Sequence, residues 1–196
     1  MKKIFLTLTI LILTFSTQIV ADTSNSIQRI YEGNKDAKVT IITYESFTCG
    51  HCADFHKNVY PQLKKEFIDA GLVKIEFRHF PLDMAALNAS KIAQCNNDGK
   101  SDILHFLFSN QKKWAIGETV ETANENLKKL LKDENIVIDF EKCTNNKKIE
   151  DYVLNDRIEG VKKFKVNATP TIIINNKKFD KSLNYKNLKK SIEKLI

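Results

Sequence analysis

The chain has 196 residues, a formal net charge of +7 and 42% hydrophobic residues, a composition ordinary for one globular domain of moderate size. Three Pro and six Gly exclude a collagen-like or low-complexity chain, and four Cys are too few for a small disulfide-rich domain. The basic residues are 28 Lys and only 3 Arg, scattered along the sequence. This pattern is typical of a solvated surface, and we predict no nucleic-acid partner.

The first 21 residues have the order of a secretory signal peptide. Lys2 and Lys3 precede an uncharged apolar run at residues 4–15, and the small residue Ala21 ends the segment. Because the run is short for a transmembrane helix, we predict a signal peptide at residues 1–21, with an uncleaved membrane anchor as the alternative. Either interpretation places the body of the protein outside the cytoplasm. In that oxidising environment, an even number of cysteines is a stronger indication of disulfides than of metal sites.

The next elements, in chain order, are a leader, a strand, a helix and a second strand. Residues 22–38 are polar and are interpreted as a leader to the domain. Residues 39–44 are β-branched and aromatic, which predicts a buried strand. Apolar residues then recur every fourth position along a helix that Pro61 is expected to kink. Residues 72–80 alternate in the manner of a second strand.

The rest of the chain predicts a helical block followed by a return to the sheet. Residues 84–145 show only helical periodicity, and a long helix follows at about 147–164. Residues 171–174 predict a strand, a tight turn leads to an edge strand at 177–179, and a helix closes the chain. We therefore predict an α/β fold in which residues 39–83 and 146–196 form one domain around a shared sheet. Residues 84–145 form an inserted all-helical domain.

The sequence Cys49-Gly50-His51-Cys52 lies directly after the first predicted strand, at the start of a helix. Backbone N–H groups and the positive end of the helix dipole favour a thiolate at Cys49. Cys52 lies one turn later, close enough to form a disulfide with Cys49. An imidazolium at His51 would favour the thiolate further and make the disulfide a stronger oxidant.

The Cys-x-x-Cys motif has two other possible interpretations. A Cys-x-x-Cys is also half of a zinc site, but Cys95 and Cys143 are isolated in sequence and offer no second close pair. A purely structural disulfide between Cys49 and Cys52 would constrain the unfolded chain little, because its loop is so small. We predict no metal.

Pro170 follows Thr169 and precedes a predicted strand. Alone it is consistent with an ordinary strand start. In a protein that also has the CGHC helix, it indicates a cis peptide bond beside the cysteines.

The stretches TYESFTCGHC, FRHFPLD and FKVNATPTIII, in this order, resemble the DsbA family of bacterial thiol-disulfide oxidoreductases, and particularly its four-cysteine branch. The likeness covers about residues 37–196. It implies a thioredoxin fold with an inserted helical domain, Cys49 as the exposed attacking sulfur and Cys52 as its buried partner. It also implies that Thr169 and Pro170 form a cis-proline loop where substrate backbone docks.

The sequence departs from the best-known DsbA members at two positions. Gly50-His51 stands where Pro-His is usual, and protein disulfide isomerases carry Gly-His. Thr169, in place of valine, is found in many isomerase and reductase relatives. Such isomerases are assembled through an added amino-terminal oligomerisation domain, and only residues 22–38 precede the first predicted strand here. We therefore predict a monomer.

Cys95 and Cys143 remain for a second bond. Four cysteines permit three pairings, and if Cys49 pairs with Cys52, then Cys95 pairs with Cys143. We predict that this bond is a structural disulfide of the helical block. Two buried free thiols are the alternative.

Several other polar residues are interpreted as structural. Glu45 and Glu76 could tune the Cys49 thiolate or shuttle a proton, but a strand-end carboxylate is usually solvated, and His79 and His105 are treated in the same way.

The predicted function is a periplasmic thiol-disulfide oxidoreductase that introduces disulfides into reduced exported proteins through Cys49 and Cys52. No cofactor is expected. By family analogy, a membrane quinone-linked oxidase of the DsbB type would reoxidise the pair. The alternatives are a disulfide isomerase or reductase on the same fold, and an extracytoplasmic chaperone that holds copper or zinc through the CxxC.

Overall fold

The computed structural model describes residues 26–196, so the predicted signal peptide lies outside the described residues. The described strands are β1 (Tyr31–Glu32), β2 (Val39–Glu45), β3 (Val73–His79), β4 (Thr171–Ile174) and β5 (Lys177–Lys178). The helices are α1 (Gly50–Asn58), α2 (Tyr60–Leu63), α3 (Met84–Gln94), α4 (Asp102–Ser109), α5 (Gln111–Trp114), α6 (Val120–Asp133), α7 (Phe140–Thr144), α8 (Lys147–Phe164) and α9 (Tyr185–Ile192). Within residues 26–196, no helix is long and apolar enough to cross a membrane.

The five strands form one mixed sheet in the order β1-β3-β2-β4-β5. β2 and β3 are parallel, whereas β1, β4 and β5 each run antiparallel to their neighbour. β2 is central and almost wholly buried, with Ile41 opposite Ile75 on one side and Ile174 on the other. β2 ends at Glu45, so the cysteine motif that follows lies at the carboxyl end of this central strand.

Strand β1 lies within the segment that the sequence analysis interpreted as a leader. Tyr31 pairs with Glu76 and Glu32 with Ile75, and the preceding residue, Ile30, is buried. A two-residue strand is too short to produce an alternation that can be recognised in the sequence. Its formation depends on the edge of β3, which supplies the hydrogen-bond partners.

The helix that follows the cysteine motif is interrupted near Pro61, as predicted. α1 ends at Asn58, and after the single residue Val59 α2 begins at Tyr60, with Pro61 in its first turn. One π-helical turn follows at Lys64–Ile68. The apolar residues that recur every fourth position, Phe55, Val59, Leu63 and Phe67, are all buried.

Helices α3 to α7 lie between β3 and α8 in the sequence. α3 packs against α4, α6, α7 and α8. Asp83 caps the start of α3 by accepting a hydrogen bond from the backbone N–H of Ala86, at 2.7 Å. Asp83 also accepts a hydrogen bond from the hydroxyl of Thr48, at 2.6 Å, which joins the start of the helical segment to the residue before Cys49.

Candidate active site

Cys49 and Cys52 lie at the amino end of α1. Cys49 is the residue that caps the helix and is partly exposed, whereas Cys52 is fully buried, with an exposed fraction of 0%. Both are free thiols in the structure. The two sulfurs therefore differ in access, because an incoming molecule can reach only Cys49.

The surroundings of Cys49 favour its thiolate form. A hydrogen bond from the Cys52 thiol makes the largest contribution, and Thr169 and the backbone N–H groups of Cys52 and His51 add to it. Together they outweigh the opposing effect of partial burial and lower the pKa of Cys49 from 9.0 to about 5. His51 contributes to the lowered pKa of Cys49 through its backbone N–H, and its side chain is exposed.

Cys52 is held as a thiol by its environment. Burial raises the pKa of Cys52 most, and its role as hydrogen-bond donor to Cys49 and the nearby charge of Glu45 raise it further. The two cysteines of one helical turn thus have pKa values shifted in opposite directions. An attacking or leaving thiolate is stable at Cys49, and Cys52 needs a proton when it is reduced.

The Thr169–Pro170 loop packs against Cys49, and its peptide bond is cis. The Cys49 thiol donates to the backbone carbonyl of Thr169, with 3.3 Å between sulfur and oxygen. The Thr169 hydroxyl is buried and has no hydrogen-bond partner in the structure, so it can donate to the sulfur once Cys49 ionises. The loop thus contacts the attacking sulfur through both its backbone and its side chain.

Gln111 connects the helical segment to the cysteine loop and was not identified from the sequence. Its buried amide donates to the carbonyl oxygens of Phe47, at 2.7 Å, and Cys49, at 2.9 Å. These bonds hold the strand-to-helix turn that presents Cys49. A single glutamine more than 60 residues from its partners carries no local signal.

A groove of about 940 Å³ is lined in part by the Thr169–Pro170 loop, which contacts Cys49. Its lining includes His51, Phe55, Thr169, Pro170 and Leu183. Gly50, the first residue of α1, is exposed, and nothing lies within 4 Å of the position that its Cβ would occupy. The structure therefore brings all six residues predicted at the redox site, Cys49 to Cys52 with Thr169 and Pro170, together at the amino end of α1, with Cys52 buried beneath the others.

Glu45 was interpreted from the sequence as a solvated carboxylate, and this was wrong. Its exposed fraction is 4%, and one of its oxygens, Oε2, lies 3.0 Å from Nε2 of the buried His56. Glu45 ends β2 and is the fourth residue before Cys49, and its charge contributes to the raised pKa of Cys52. An acid in the last position of an otherwise uncharged strand was the available signal.

Cys95 and Cys143 lie away from this surface and are joined by a disulfide, with 5.5 Å between their Cα atoms. Cys95 follows the last residue of α3 and Cys143 belongs to α7. Within residues 26–196, no group of three or more His, Cys, Asp or Glu is arranged to hold a metal ion.

The comparison with known sequences identifies the family. The family model described as Thioredoxin matches residues 25–194. The chain belongs to the thioredoxin family. Within this family, α-DsbA1 of Wolbachia pipientis has a crystal structure similar to this one, with 30% identity and a TM-score of 0.74. The match covers 85% of this chain and 90% of that one.

Two sequence relatives in the thioredoxin family carry names that concern disulfides. Disulfide bond formation protein D of Bacillus subtilis is 28% identical over 176 residues, covering 83% of this chain and 74% of that protein. A protein-disulfide oxidoreductase of Rickettsia bellii is 29% identical over 147 residues, covering 73% of this chain. The chain spans only 55% of that relative's length, and between 52% and 60% of similar proteins from three other Rickettsia species. The DsbA resemblance and the predicted thioredoxin fold with a helical insertion are confirmed.

We expect the absorbance of the Cys49 thiolate in the reduced protein to titrate with a midpoint near pH 5, the lowered pKa of this residue. Because this pKa lies below the ordinary value of 9.0, the stability that it contributes is complete above about pH 9 and is lost as the pH falls through about 5. Urea unfolding of the reduced and the oxidised protein across this pH range measures this contribution to the free energy of unfolding. The difference between the two forms reports on Cys49, because Cys49 titrates only when it is reduced. Cys49→Ser is the control for other thiols, and a midpoint near 9 would contradict the prediction.

Proposed function

We propose that this protein is an exported thiol-disulfide oxidoreductase that donates the Cys49–Cys52 disulfide to reduced proteins. One observation carries the proposal: a partly exposed Cys49 with a lowered pKa lies one helical turn before a buried Cys52 with a raised pKa. A stable Cys49 thiolate favours the reduced form of the pair. The corresponding disulfide is then a strong oxidant of other thiols.

The reaction begins on the oxidised form of the pair. A substrate thiolate attacks the Cys49 sulfur, a new disulfide forms between substrate and Cys49, and the bond to Cys52 breaks. Cys52 leaves as a thiolate and accepts a proton. A second substrate thiolate then attacks the substrate sulfur of this mixed disulfide, and Cys49 leaves as a thiolate. The substrate has lost two electrons and gained a disulfide, and the enzyme holds a reduced Cys49 and Cys52.

Several site residues support this direction. Thr169 and the N–H groups of His51 and Cys52 stabilise the leaving Cys49 thiolate. In the proposal, substrate backbone lies in the groove beside Thr169 and Pro170, and Gly50 and His51 tune the redox equilibrium. The same proposal gives the Cys95–Cys143 disulfide a structural role. It also divides the chain into residues 39–83 with 146–196, to whose sheet β1 adds an edge strand, and a helical insertion at 84–145.

The setting of the reaction is also proposed. The signal peptide at residues 1–21 would direct export to the periplasm. The mature chain would then begin with the leader at residues 22–38, and the enzyme would act as a monomer. There its substrates would be exported proteins with pairs of thiols. A membrane oxidase of the DsbB type would return Cys49 and Cys52 to the disulfide.

The experiment that tests this function is the redox equilibrium of Cys49 and Cys52 in glutathione buffers, together with oxidation of a reduced two-thiol peptide. We expect an oxidising equilibrium and net formation of the peptide disulfide. A reducing equilibrium, with no peptide oxidation by the disulfide form, would replace the proposal by the isomerase or reductase alternative. Stoichiometric metal in the freshly purified reduced protein would support the metal chaperone instead.

A further inference from the structure

A second groove, of about 880 Å³, lies between α1 and the segment formed by α4 and α5. One wall comes from α1 and the start of α2, and the other from the end of α4 and the start of α5. Gly50, the residue that follows Cys49, lines its near end. The groove therefore begins one residue along the chain from the attacking cysteine, and the function proposed above assigns it no role.

This second groove is distinct from the first groove, which the Thr169–Pro170 loop lines. The two grooves use neighbouring faces of α1, each at helical spacing: His51, Phe55 and Asn58 line the first, and Gly50, Ala53 and Lys57 line the second. Asp54 lines both grooves. A single extended chain that crosses α1 at this position can therefore occupy both grooves.

The two walls of the second groove are fixed to each other and to Cys49. Phe108 of α4 stacks on His56 of α1, with 4.1 Å between ring centroids. Gln111 of α5 lines the groove and donates to the carbonyl oxygen of Cys49, at 2.9 Å. The groove is therefore preformed, and a partner that binds there loses little free energy to ordering of the protein.

The floor of the second groove is apolar and largely aromatic. Tyr60 and Phe108 are buried, whereas Ala53 and Phe106 are partly exposed. Phe106 packs against the hydrophobic core and leaves part of its side chain accessible. An aromatic or aliphatic side chain of a partner would remove this surface from water, as is usual in binding clefts.

The rim of the second groove is positively charged. Lys57 of α1 and Lys112 and Lys113 of α5 line the groove and are exposed. Within residues 26–196, none of these three lysines has an ion-pair partner. Asp54 is the one acid among the described residues that line the groove. A rim with this charge attracts acidic segments and repels basic ones.

The length of the groove fits a short extended peptide. Along α1, a rise of about 1.5 Å per residue separates Gly50 from Lys57 by about 10 Å. An extended chain covers that distance in about three residues, at roughly 3.3 Å each. An acidic side chain three or four positions from a substrate cysteine can therefore reach Lys57 while that cysteine lies at Cys49.

We propose that the second groove is a docking site for an acidic segment, with an aromatic residue in it, that flanks the reacting cysteine of a reduced protein substrate. The docking site rests on the proposed oxidoreductase function. The aromatic side chain packs on Phe106, and the carboxylates pair with Lys57, Lys112 and Lys113. The substrate cysteine then lies at Cys49, and the chain continues into the first groove.

The test is single-turnover oxidation of reduced two-cysteine peptides by the disulfide form of the protein. One peptide of a matched pair carries a tryptophan and two glutamates in the four residues next to a cysteine, and the other carries glutamines in place of the glutamates. The segment precedes the cysteine in one pair and follows it in a second pair. In at least one pair, the acidic peptide should half-saturate the protein at about a fivefold lower concentration at low salt. The maximal rate should be equal, because the groove does not touch the reacting sulfurs.

Salt and charge removal should both abolish the preference. At about 0.5 M salt, screening should bring the two half-saturating concentrations within about 1.5-fold of each other. The triple variant Lys57→Gln, Lys112→Gln and Lys113→Gln should have the same effect at low salt, because it removes the charged rim. These lysines are exposed and do not contribute to the shifted pKa of Cys49, so the thiolate titration should match that of the wild type.

The matched control is the triple variant Lys132→Gln, Lys162→Gln and Lys177→Gln. It removes the same charge from exposed lysines that line neither groove. This control should keep the preference of about fivefold, since a local rim and not the net charge of the protein selects the peptide.

A second variant tests the apolar floor separately. Phe106→Ala should raise the half-saturating concentration of the tryptophan peptide about fivefold, and that of the same peptide with alanine in place of tryptophan by less than about twofold. Such a difference shows contact between Phe106 and the peptide side chain, which a general loss of stability would not produce.

Three results would overturn the docking site. The first is equal half-saturation by acidic and neutral peptides in both pairs. The second is a preference that both lysine triple variants lose equally. The third is binding to vesicles of anionic phospholipid that depends on Lys57, Lys112 and Lys113 in the absence of any peptide preference, which would assign these lysines to a membrane surface.

The proposed function and the docking site fail in different ways. An acidic peptide with serine in place of both cysteines reports binding without chemistry, through NMR shifts of the backbone amides of Lys57, Phe106 and Lys113. If the wild type does not oxidise the cysteine peptides, the function fails, and these shifts still decide whether the groove binds. If the wild type oxidises acidic and neutral peptides equally and the shifts are absent, the docking site alone fails.

Discussion

Replacing Cys49 with serine is expected to reduce peptide oxidation by at least about a thousandfold, to the uncatalysed rate. Cys49 is the only reachable sulfur of the pair, because Cys52 is fully buried. A serine hydroxyl can neither form the disulfide nor leave as a thiolate. The loss should be the same at all substrate concentrations, since the missing step is chemical. Stopped assays that measure the peptide disulfide by mass will give the rate.

The complementary change, Cys52→Ser, should have a different result. Cys49 keeps access to the groove and to the Thr169–Pro170 loop, so it can still exchange with an activated substrate disulfide. Without a thiol at position 52, no internal attack releases the substrate, and the mixed disulfide should accumulate as a stable adduct. Mass measurement of the intact protein detects this adduct.

Retention of more than about a tenth of the activity by Cys49→Ser would show that another group carries the reaction.

Removing the second disulfide is expected to lower stability strongly and leave the redox chemistry unchanged. The Cys95–Cys143 bond closes a separation of 48 residues between the end of α3 and α7. Chain entropy alone assigns about 4 kcal/mol to a loop of this length. The double variant Cys95→Ala with Cys143→Ala avoids a stray thiol and should melt about 10 °C below the wild type.

The control for this prediction is the active site of the same variant. Neither cysteine belongs to the groups that shift the pKa of Cys49, so the thiolate titration and the glutathione equilibrium should match those of the wild type. The wild type treated with a strong reductant and then alkylated should unfold at the temperature of the double variant. An unchanged melting temperature in the double variant would show that the bond does not contribute to the stability of the helical segment.

The local structure around Cys49 could be predicted because its causes lie within a few residues. A β-branched run forms the strand that ends at Glu45, and apolar residues at every fourth position place α1 and α2 against the sheet. The break near Pro61 follows from the missing backbone N–H of proline. Pro170 was ambiguous by itself and gained its meaning from its presence in the same chain as the CGHC helix.

The environment of Cys52 could not be predicted in the same way. Glu45 and His105 looked like ordinary solvated or structural residues, because whether a strand-end acid is buried depends on what packs over it. The contact of His56 with His105 spans 49 positions, and that of His105 with Glu32 spans 73. Strand β1, which carries Glu32, exists only because β3 offers a free edge.

The amino-acid sequence by itself therefore determined the elements other than β1, the position of the reactive cysteines at a helix start and the family to which they point. These properties depend on periodicity, proline and the N–H groups of one helical turn. Only the tertiary structure decided which side chains surround the buried sulfur. The docking of four separate elements brings their polar groups within hydrogen-bond distance, and no pattern within a single segment encodes that arrangement.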